Sequence, residues 1–256
     1  LSFLKGIFEK ISTAVLIQQP YKRLITMFTQ DQLKQMVADA AKDEVLKNMA
    51  PGGILGIGTG STANLFIDAL APHQKHFSGV VSSSQASTDR LKKHGFIVLD
   101  SNAVTGLPMY VDGADEINPA GHMLKGGGGA LTREKIVAQL AHSFICICDA
   151  SKEVDVIGKF PIPVEVIPMA QAQVTRFLEE LGGKVSLRKV KGSDQVFVTD
   201  NQAWILDVAG LNVVDPVRME SEINQIPGVI CNGLFARRKA DVLLIGGANG
   251  VRRQTY

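Results

Sequence analysis

Residues 52–70 read GGILGIGTGSTANLFIDAL. The apolar run up to Ile57 is short and ends in glycines, which predicts a buried strand. Ala63, Phe66, Ile67 and Leu70 then fall on one face of a helix. The same order recurs along the chain. GVVSSS is a second strand and ASTDRLKKHG a helix that stops at Gly95. FIVLD and MYVDGAD are further strands, LTREKIVAQLAH is a helix and FICICDASK a fifth strand. Upstream, Leu33, Val37, Ala40, Ala41 and Val45 give residues 30–49 a helical spacing. Strands alternating with helices predict an α/β fold with a parallel sheet covered on both faces. In such sheets ligands bind beyond the carboxyl ends of the strands. The loops GTGST, SSSQAS, DGADE and DASK all follow a strand.

The pattern changes at GKFPIPVEVIP, where three prolines crowd together and suggest a boundary near Gly158. PVEVIP, KVSLRK and GVICNGLF read as strands, QAQVTRFLEELG and RMESEINQI as helices, and QVFVTDNQAWILDV as a hairpin turning at Asp200–Asn201. This is a small α+β unit, ferredoxin-like in its order of elements. ADVLLIGGANG then reads as a parallel strand returning to the first unit. The expected division is an N-terminal extension over 1–28, a catalytic domain over 29–157 plus 233–256, and the small domain over 158–232. The first residues are amphipathic with scattered lysines and lack a secretory cleavage signal. They read as upstream translated or added sequence before a start near Met27, or as a targeting or partner-binding helix.

Across 256 residues, 45% are hydrophobic and 20% charged, with a net charge of +2. That balance supports a real core and excludes a strong general field for nucleic acid or membrane. The cysteines are Cys146, Cys148 and Cys231, which form neither a disulfide framework nor a zinc ligand set and imply a reducing cytosol. No apolar run approaches the ~20 residues that cross a bilayer.

The chemistry gathers in YVDGADEINPAGHMLKGGGGALTREK, residues 110–135. Four consecutive glycines are costly to order, so they form either a hinge or a loop whose N–H groups face a ligand. Lys125 enters that loop, as a solvated lysine or as a partner of the ligand. Glu134 falls in the first helical turn beyond it, to complement the helix dipole or to act as a base. Asp112 and Asp115 are turn formers, acid/base groups or metal ligands. His122 has no partner at ligand spacing. In GIGTGSTAN, Thr59, Gly60, Ser61 and Thr62 lead from a strand into a helix. They form a tight turn, a phosphate cradle, or a weak dinucleotide match that lacks the usual ribose-binding acid. Taken together, an anion cradle, a glycine nest, a lysine and three carboxylates fit proton removal next to a carbonyl in a phosphorylated sugar.

GIGTGST, SSSQAST, YVDGADEIN, KGGGGALTREK and DASK, in this order and spacing, resemble ribose-5-phosphate isomerase A from about Thr29 to about Gly250. The resemblance implies a parallel Rossmann-like sheet with a smaller ferredoxin-like domain. It also implies interconversion of ribose 5-phosphate and ribulose 5-phosphate through an enediol, with no cofactor and no metal. Glu134 matches the general base, and Asp112 and Asp115 match the acids of ring opening and proton movement. Lys125 with Gly126, Gly127 and Gly128 matches the loop that stabilises the intermediate. Thr59 to Thr62, Gly113 and Ala114 match substrate-binding positions, as do Lys34 and Lys152. Gly129 stands where alanine is common in relatives. A sugar phosphate is the implied partner, with no nucleic acid or membrane, in a cytoplasmic homodimer or homotetramer. A sugar-phosphate deaminase, a CoA transferase and a sugar-phosphate sensor share the scaffold.

Overall fold

The computed structural model describes residues 28–256. The expected N-terminal extension over 1–28 lies outside the described residues except for Phe28. The first helix, α1 (Gln30–Asn48), opens on a capping box in which Thr29 accepts from the Gln32 N–H and the Gln32 side chain accepts from the Thr29 N–H. It leads into β1 (Gly53–Ile57), α2 (Ser61–Leu70), β2 (Phe77–Ser82), α3 (Gln85–Lys93) and β3 (Leu107–Asp112). Two short strands, β4 (Glu116–Ile117) and β5 (Met123–Leu124), precede α4 (Leu131–Leu140) and β6 (Ala141–Asp149).

The second unit runs β7 (Ile162–Val166), α5 (Gln171–Glu180), β8 (Lys184–Leu187), β9 (Trp204–Ala209), α6 (Pro216–Asn224) and β10 (Val229–Asn232). The chain returns through β11 (Leu234–Phe235), β12 (Val242–Gly247) and β13 (Gly250–Thr255). The main sheet has the order β13-β12-β6-β3-β1-β2, parallel except for the β12–β13 pair. The small sheet, β10-β7-β9-β8, is antiparallel throughout and has the ferredoxin-like order expected from the sequence. A third sheet, β11-β5-β4, carries the chain between them.

β6 shows why the main sheet sits in the middle. Ile145 and Ile147 join the core under α1 and α2, with Val37, Ala41, Phe66 and Ile67. Phe144, Cys146 and Cys148 join the opposite core under α4, with Val137, Ala138 and Phe235. Alternation with both faces buried is the mark of a covered parallel strand. The three cysteines are buried and free. Among the described residues, no helix is long and apolar enough to cross a membrane.

Three sequence expectations change. FIVLD makes only a single bridge, Val98 to Val80, because it lies outside the last strand and leaves Ile97 exposed. The first arm of the Asp200–Asn201 hairpin is likewise reduced to bridges, Lys189 to Val196 and Val198 to Trp204. The strand β13 was not anticipated. Its signal was the glycine-rich GGANG run, which turns at Ala248–Asn249 with Gly250 at φ +102° opening the strand, and its polar run of Arg252, Arg253 and Gln254 suits a sheet edge.

β7 ties the two units together. Ile162, Val164 and Val166 enter the small-domain core with Val174, Leu178, Leu206 and Ile223. Glu165 points the other way and is fully buried. It accepts hydrogen bonds from Thr132 at the start of α4, from Thr199 (2.6 Å) and from Asn201 (3.1 Å). Removing a buried acceptor strands its donors at about 1–3 kcal/mol each. Glu165→Ala should therefore cost about 3 kcal/mol of stability in urea unfolding. A change below about 0.5 kcal/mol, the range of an ordinary surface substitution, would show that this network does not join the units.

Candidate active site

β3 ends at Asp112, one residue beyond a row in which Ile57, Val111 and Ile145 stand side by side. The Asp112 carboxyl is fully buried and fully paired. Oδ1 accepts from the backbone N–H groups of Thr59 (3.0 Å) and Gly113 (2.7 Å). Oδ2 accepts from Lys125 Nζ (2.7 Å) and from the Tyr110 hydroxyl. Gly58, at the end of β1, has to be glycine, because any Cβ there would overlap this carboxyl. The first glycine of the apparent anion cradle thus makes room for Asp112.

Lys125 follows β5, and its side chain is almost without solvent. Its ammonium donates to Asp112 Oδ2 and to the Gly113 carbonyl (2.5 Å), and lies 3.3 Å from Glu134 Oε2. The Phe235 ring centroid is 5.4 Å away. Burial alone would lower the ammonium's pKa, but Asp112 and Glu134 outweigh it and hold Lys125 above its ordinary range. Glu134 sits in the first turn of α4 and is 3% exposed. Burial pushes its carboxyl up from 4.5 to about 8, against the pull of Lys125, with Asp112 and Asp115 adding to the rise. Although Oε2 is at ion-pair distance from Lys125, it is a buried oxygen without a hydrogen-bond partner. Among the described residues only His122 Nδ1 shares that condition, and His122 does not line the cavity described next. An orphaned buried oxygen is rare and calls for a reason.

Glu134 and Lys125 open onto a cavity of about 150 Å³. Its walls bring together nearly every residue marked in the sequence. Thr59, Gly60, Ser61 and Thr62 form one side, where among the described residues no side chain caps the start of α2, and its first turn carries no acid. Its first N–H groups therefore remain available to an anion. Lys34 reaches in from α1, and Lys152 from the turn after β6. Gly113, Ala114 and Asp115 form another side, and the glycine loop a third. Asp112 does not line the cavity and stands behind Lys125.

The four glycines now separate. Gly126 and Gly129 have φ of +100° and +84°. A Cβ on Gly129 would also come within 2.6 Å of the Phe197 ring. Gly127 donates its N–H to Asp115 Oδ2 (2.7 Å), and a Cβ there would meet Asp115 Oδ1 at 2.7 Å. Gly128 has neither a positive φ nor a neighbour within 4 Å, and it faces the cavity. Backbone conformation thus demands glycine at 126 and 129, the Gly127 N–H is committed to Asp115, and Gly128 leaves open space at the cavity.

Three residues at the site escaped the sequence reading. Gln30 lines the cavity one helical turn before Lys34, on a helix whose i and i+4 positions share a face. Tyr110 was visible only as a strand residue, yet its hydroxyl serves Asp112. Arg188 donates from Nη1 to the carbonyls of Gly126 (2.8 Å) and Gly127 (3.2 Å) across more than sixty residues of chain, and nothing local announces it.

Known proteins share this arrangement of chain. A family model described as ribose 5-phosphate isomerase A (phosphoriboisomerase A) matches residues 79–250. A ribose-5-phosphate isomerase A of Polynucleobacter asymbioticus is 64% identical over 232 residues, 88% of this chain and 98% of that protein. The crystal structure of ribose 5 phosphate isomerase A from Neisseria gonorrhoeae superimposes with a TM-score of 0.83 at 44% identity, covering 90% of this chain and 98% of that one. A D-ribose-5-phosphate isomerase in complex with phospho-erythronic acid gives a TM-score of 0.82 at 34% identity, covering 90% of this chain and 100% of that one.

The raised carboxyl has a signature in stability. Glu134 holds its proton more tightly folded, near 8, than at its ordinary 4.5. The stability linked to that proton is complete below about 4.5 and is lost as pH rises through about 8. Denaturant midpoints from pH 5 to 9 should fall for the wild type, and Glu134→Gln should remove that part of the fall. Parallel curves would mean that the carboxyl titrates alike in both states.

Proposed function

The chain belongs to the ribose 5-phosphate isomerase A family and isomerises ribose 5-phosphate, and we propose that Glu134 is the base that moves the proton. One observation carries this reading: the carboxyl of Glu134 lines the cavity and keeps a buried oxygen that accepts no hydrogen bond among the described residues, 3.3 Å from the Lys125 ammonium, while burial pushes the carboxyl up to about 8. Such an oxygen has no hydrogen bond to break before it accepts a proton, and its pKa lies near working pH.

In the open-chain aldose, Glu134 takes the proton from C2, and the electron pair forms the C1–C2 double bond while the C1 carbonyl oxygen becomes an enediolate. The ammonium of Lys125 and the N–H groups of the glycine loop stabilise that oxygen as its charge grows. The hydroxyl proton of O2 passes to O1, and Glu134 returns its proton to C1, leaving the ketone at C2. Asp115 lines the cavity and suits the proton traffic between the oxygens and the opening of the ring. Asp112, matched by resemblance to the same work, has both oxygens occupied behind the cavity, and we assign it to holding Lys125. The phosphate goes to the uncapped start of α2, with Ser61, Thr62, Lys34 and Lys152 around it. Phospho-erythronic acid, the molecule in complex with one relative, has a phosphate for that end and a planar carboxylate like the enediolate, and should bind here as an inhibitor. We also propose, on the family resemblance alone, a cytoplasmic location and assembly as a homodimer or homotetramer.

Two experiments divide chemistry from holding. Glutamine keeps the shape of Glu134 but cannot accept the proton from carbon. Glu134→Gln should fold, bind ribose 5-phosphate normally and lose about 10²–10⁴-fold in kcat. Wild-type kcat/KM should rise with pH through about 8. A folded Glu134→Gln protein that still exchanges the C2 hydrogen with solvent at the wild-type rate returns Glu134 to a structural role. Alanine at both Ser61 and Thr62 should raise KM at least as strongly as it lowers kcat. A collapse of kcat at constant KM would move those hydroxyls into the chemistry.

A further inference from the structure

We propose that Arg188, in the small domain, is a positioning residue that turns the Gly128 N–H into the cavity as a donor to the enediolate. The inference rests on the enediolate reading above. Arg188 lies just past β8, and its guanidinium is planar with five donors in a fixed fork. Asp207 on β9 takes two of them, with Nε to Oδ2 at 2.8 Å and Nη2 to Oδ1. That bidentate pair sets the plane of the group. Nη1 is thereby aimed at the glycine loop, where it donates to the Gly126 carbonyl (2.8 Å) and the Gly127 carbonyl (3.2 Å).

The effect on the loop follows from peptide geometry. In a trans peptide the C=O and the next N–H point in opposite directions. Drawing the Gly127 carbonyl toward Arg188 therefore turns the Gly128 N–H away from the small domain, on the side where Gly128 lines the cavity. That N–H donates to no group among the described residues. The Gly126 carbonyl is shared between Arg188 and the Gly129 N–H (2.9 Å), which closes the loop as a turn. The Gly127 N–H is already given to Asp115. Arg188 thus fixes one peptide of a side-chain-free loop in the orientation that oxyanion stabilisation needs, at a point where φ and ψ of glycine would otherwise be free.

The test uses three variants. Arg188→Met keeps the stem and removes every donor, Arg188→Lys keeps the charge without the fork, and Asp207→Asn keeps Arg188 but loosens its plane. Loss of an oxyanion donor, or its displacement by about 1 Å, costs about 10²-fold. Arg188→Met should lose about that much kcat, the other two less, with KM for ribose 5-phosphate changed by less than about threefold. Affinity for phospho-erythronic acid should fall in the same order, while inhibition by inorganic phosphate stays unchanged. If Arg188→Met does not fold, the graded losses in Arg188→Lys and Asp207→Asn carry the same test. Folded variants with wild-type kcat, or with unaltered phospho-erythronic acid affinity, overturn the proposal, and so does a lowered melting temperature as the sole effect. Failure of the base reading is seen elsewhere, in C2 hydrogen exchange by Glu134→Gln. The Arg188 result would survive it, because the enediolate needs donors whichever group removes the proton.

Discussion

Lys125 has its ammonium buried between Asp112 and Glu134, and the rest of the site answers to that burial. Three ionisable groups withdrawn from water are costly unless paired and hydrogen-bonded. Two are satisfied here. Asp112 collects four donors, and Lys125 has a carboxylate and a carbonyl. Burial disfavours the Glu134 carboxylate and one cation cannot balance two of them, so Glu134 keeps its proton up to about 8. The shortage that would be a defect in a core is what leaves a proton acceptor poised beside a cation.

The architecture follows from keeping that cluster in place. Parallel strands deliver Gly58, Asp112 and the turn after β6 to one end of the sheet, and the close approach of β1 to Asp112 admits no side chain at Gly58. The small domain supplies the opposite brace. Glu165 grips the start of α4 two residues before Glu134, and Arg188 grips the glycine loop just after Lys125. Glu165 sits on the small sheet and Arg188 just past its β8 edge, and that sheet is held by its own core. Side chains set by packing and by further hydrogen bonds are the condition for holding a reacting geometry within a fraction of an ångström.

The sequence exposed those features that are local. The alternation of Phe144 to Cys148, the helical face of Ala63 to Leu70 and the glycines after strands are all encoded within a few residues, and the sheet and cavity followed from them. Edges were read less well. FIVLD has the composition of a strand but one bridge, whereas GVRRQT looks like a polar tail and pairs along its length with β12. Composition reports what a face will bury, and an edge strand buries little. Within the site, residue type gave Glu134, Lys125 and Asp115 but not the division of labour. Whether Asp112 faces the sugar or the lysine depends on Tyr110, Thr59 and Gly113 meeting it in space. Arg188 is beyond any local rule, because its partners are carbonyls, which every residue has.

The two ends of the cavity also constrain each other electrically. A phosphate brought near Glu134 is another negative charge, and a carboxyl already at about 8 would be driven higher and become a worse base at neutral pH. A chain with a net charge of +2 has no general field to offset this. The compensation has to be local. Lys34, Lys152 and the start of α2 line the same cavity as Glu134. With the phosphate placed there as proposed, their positive charge would attract it and offset its pull on the Glu134 proton. On that reading the lysines at the phosphate end would also counter the rise in the proton affinity of Glu134.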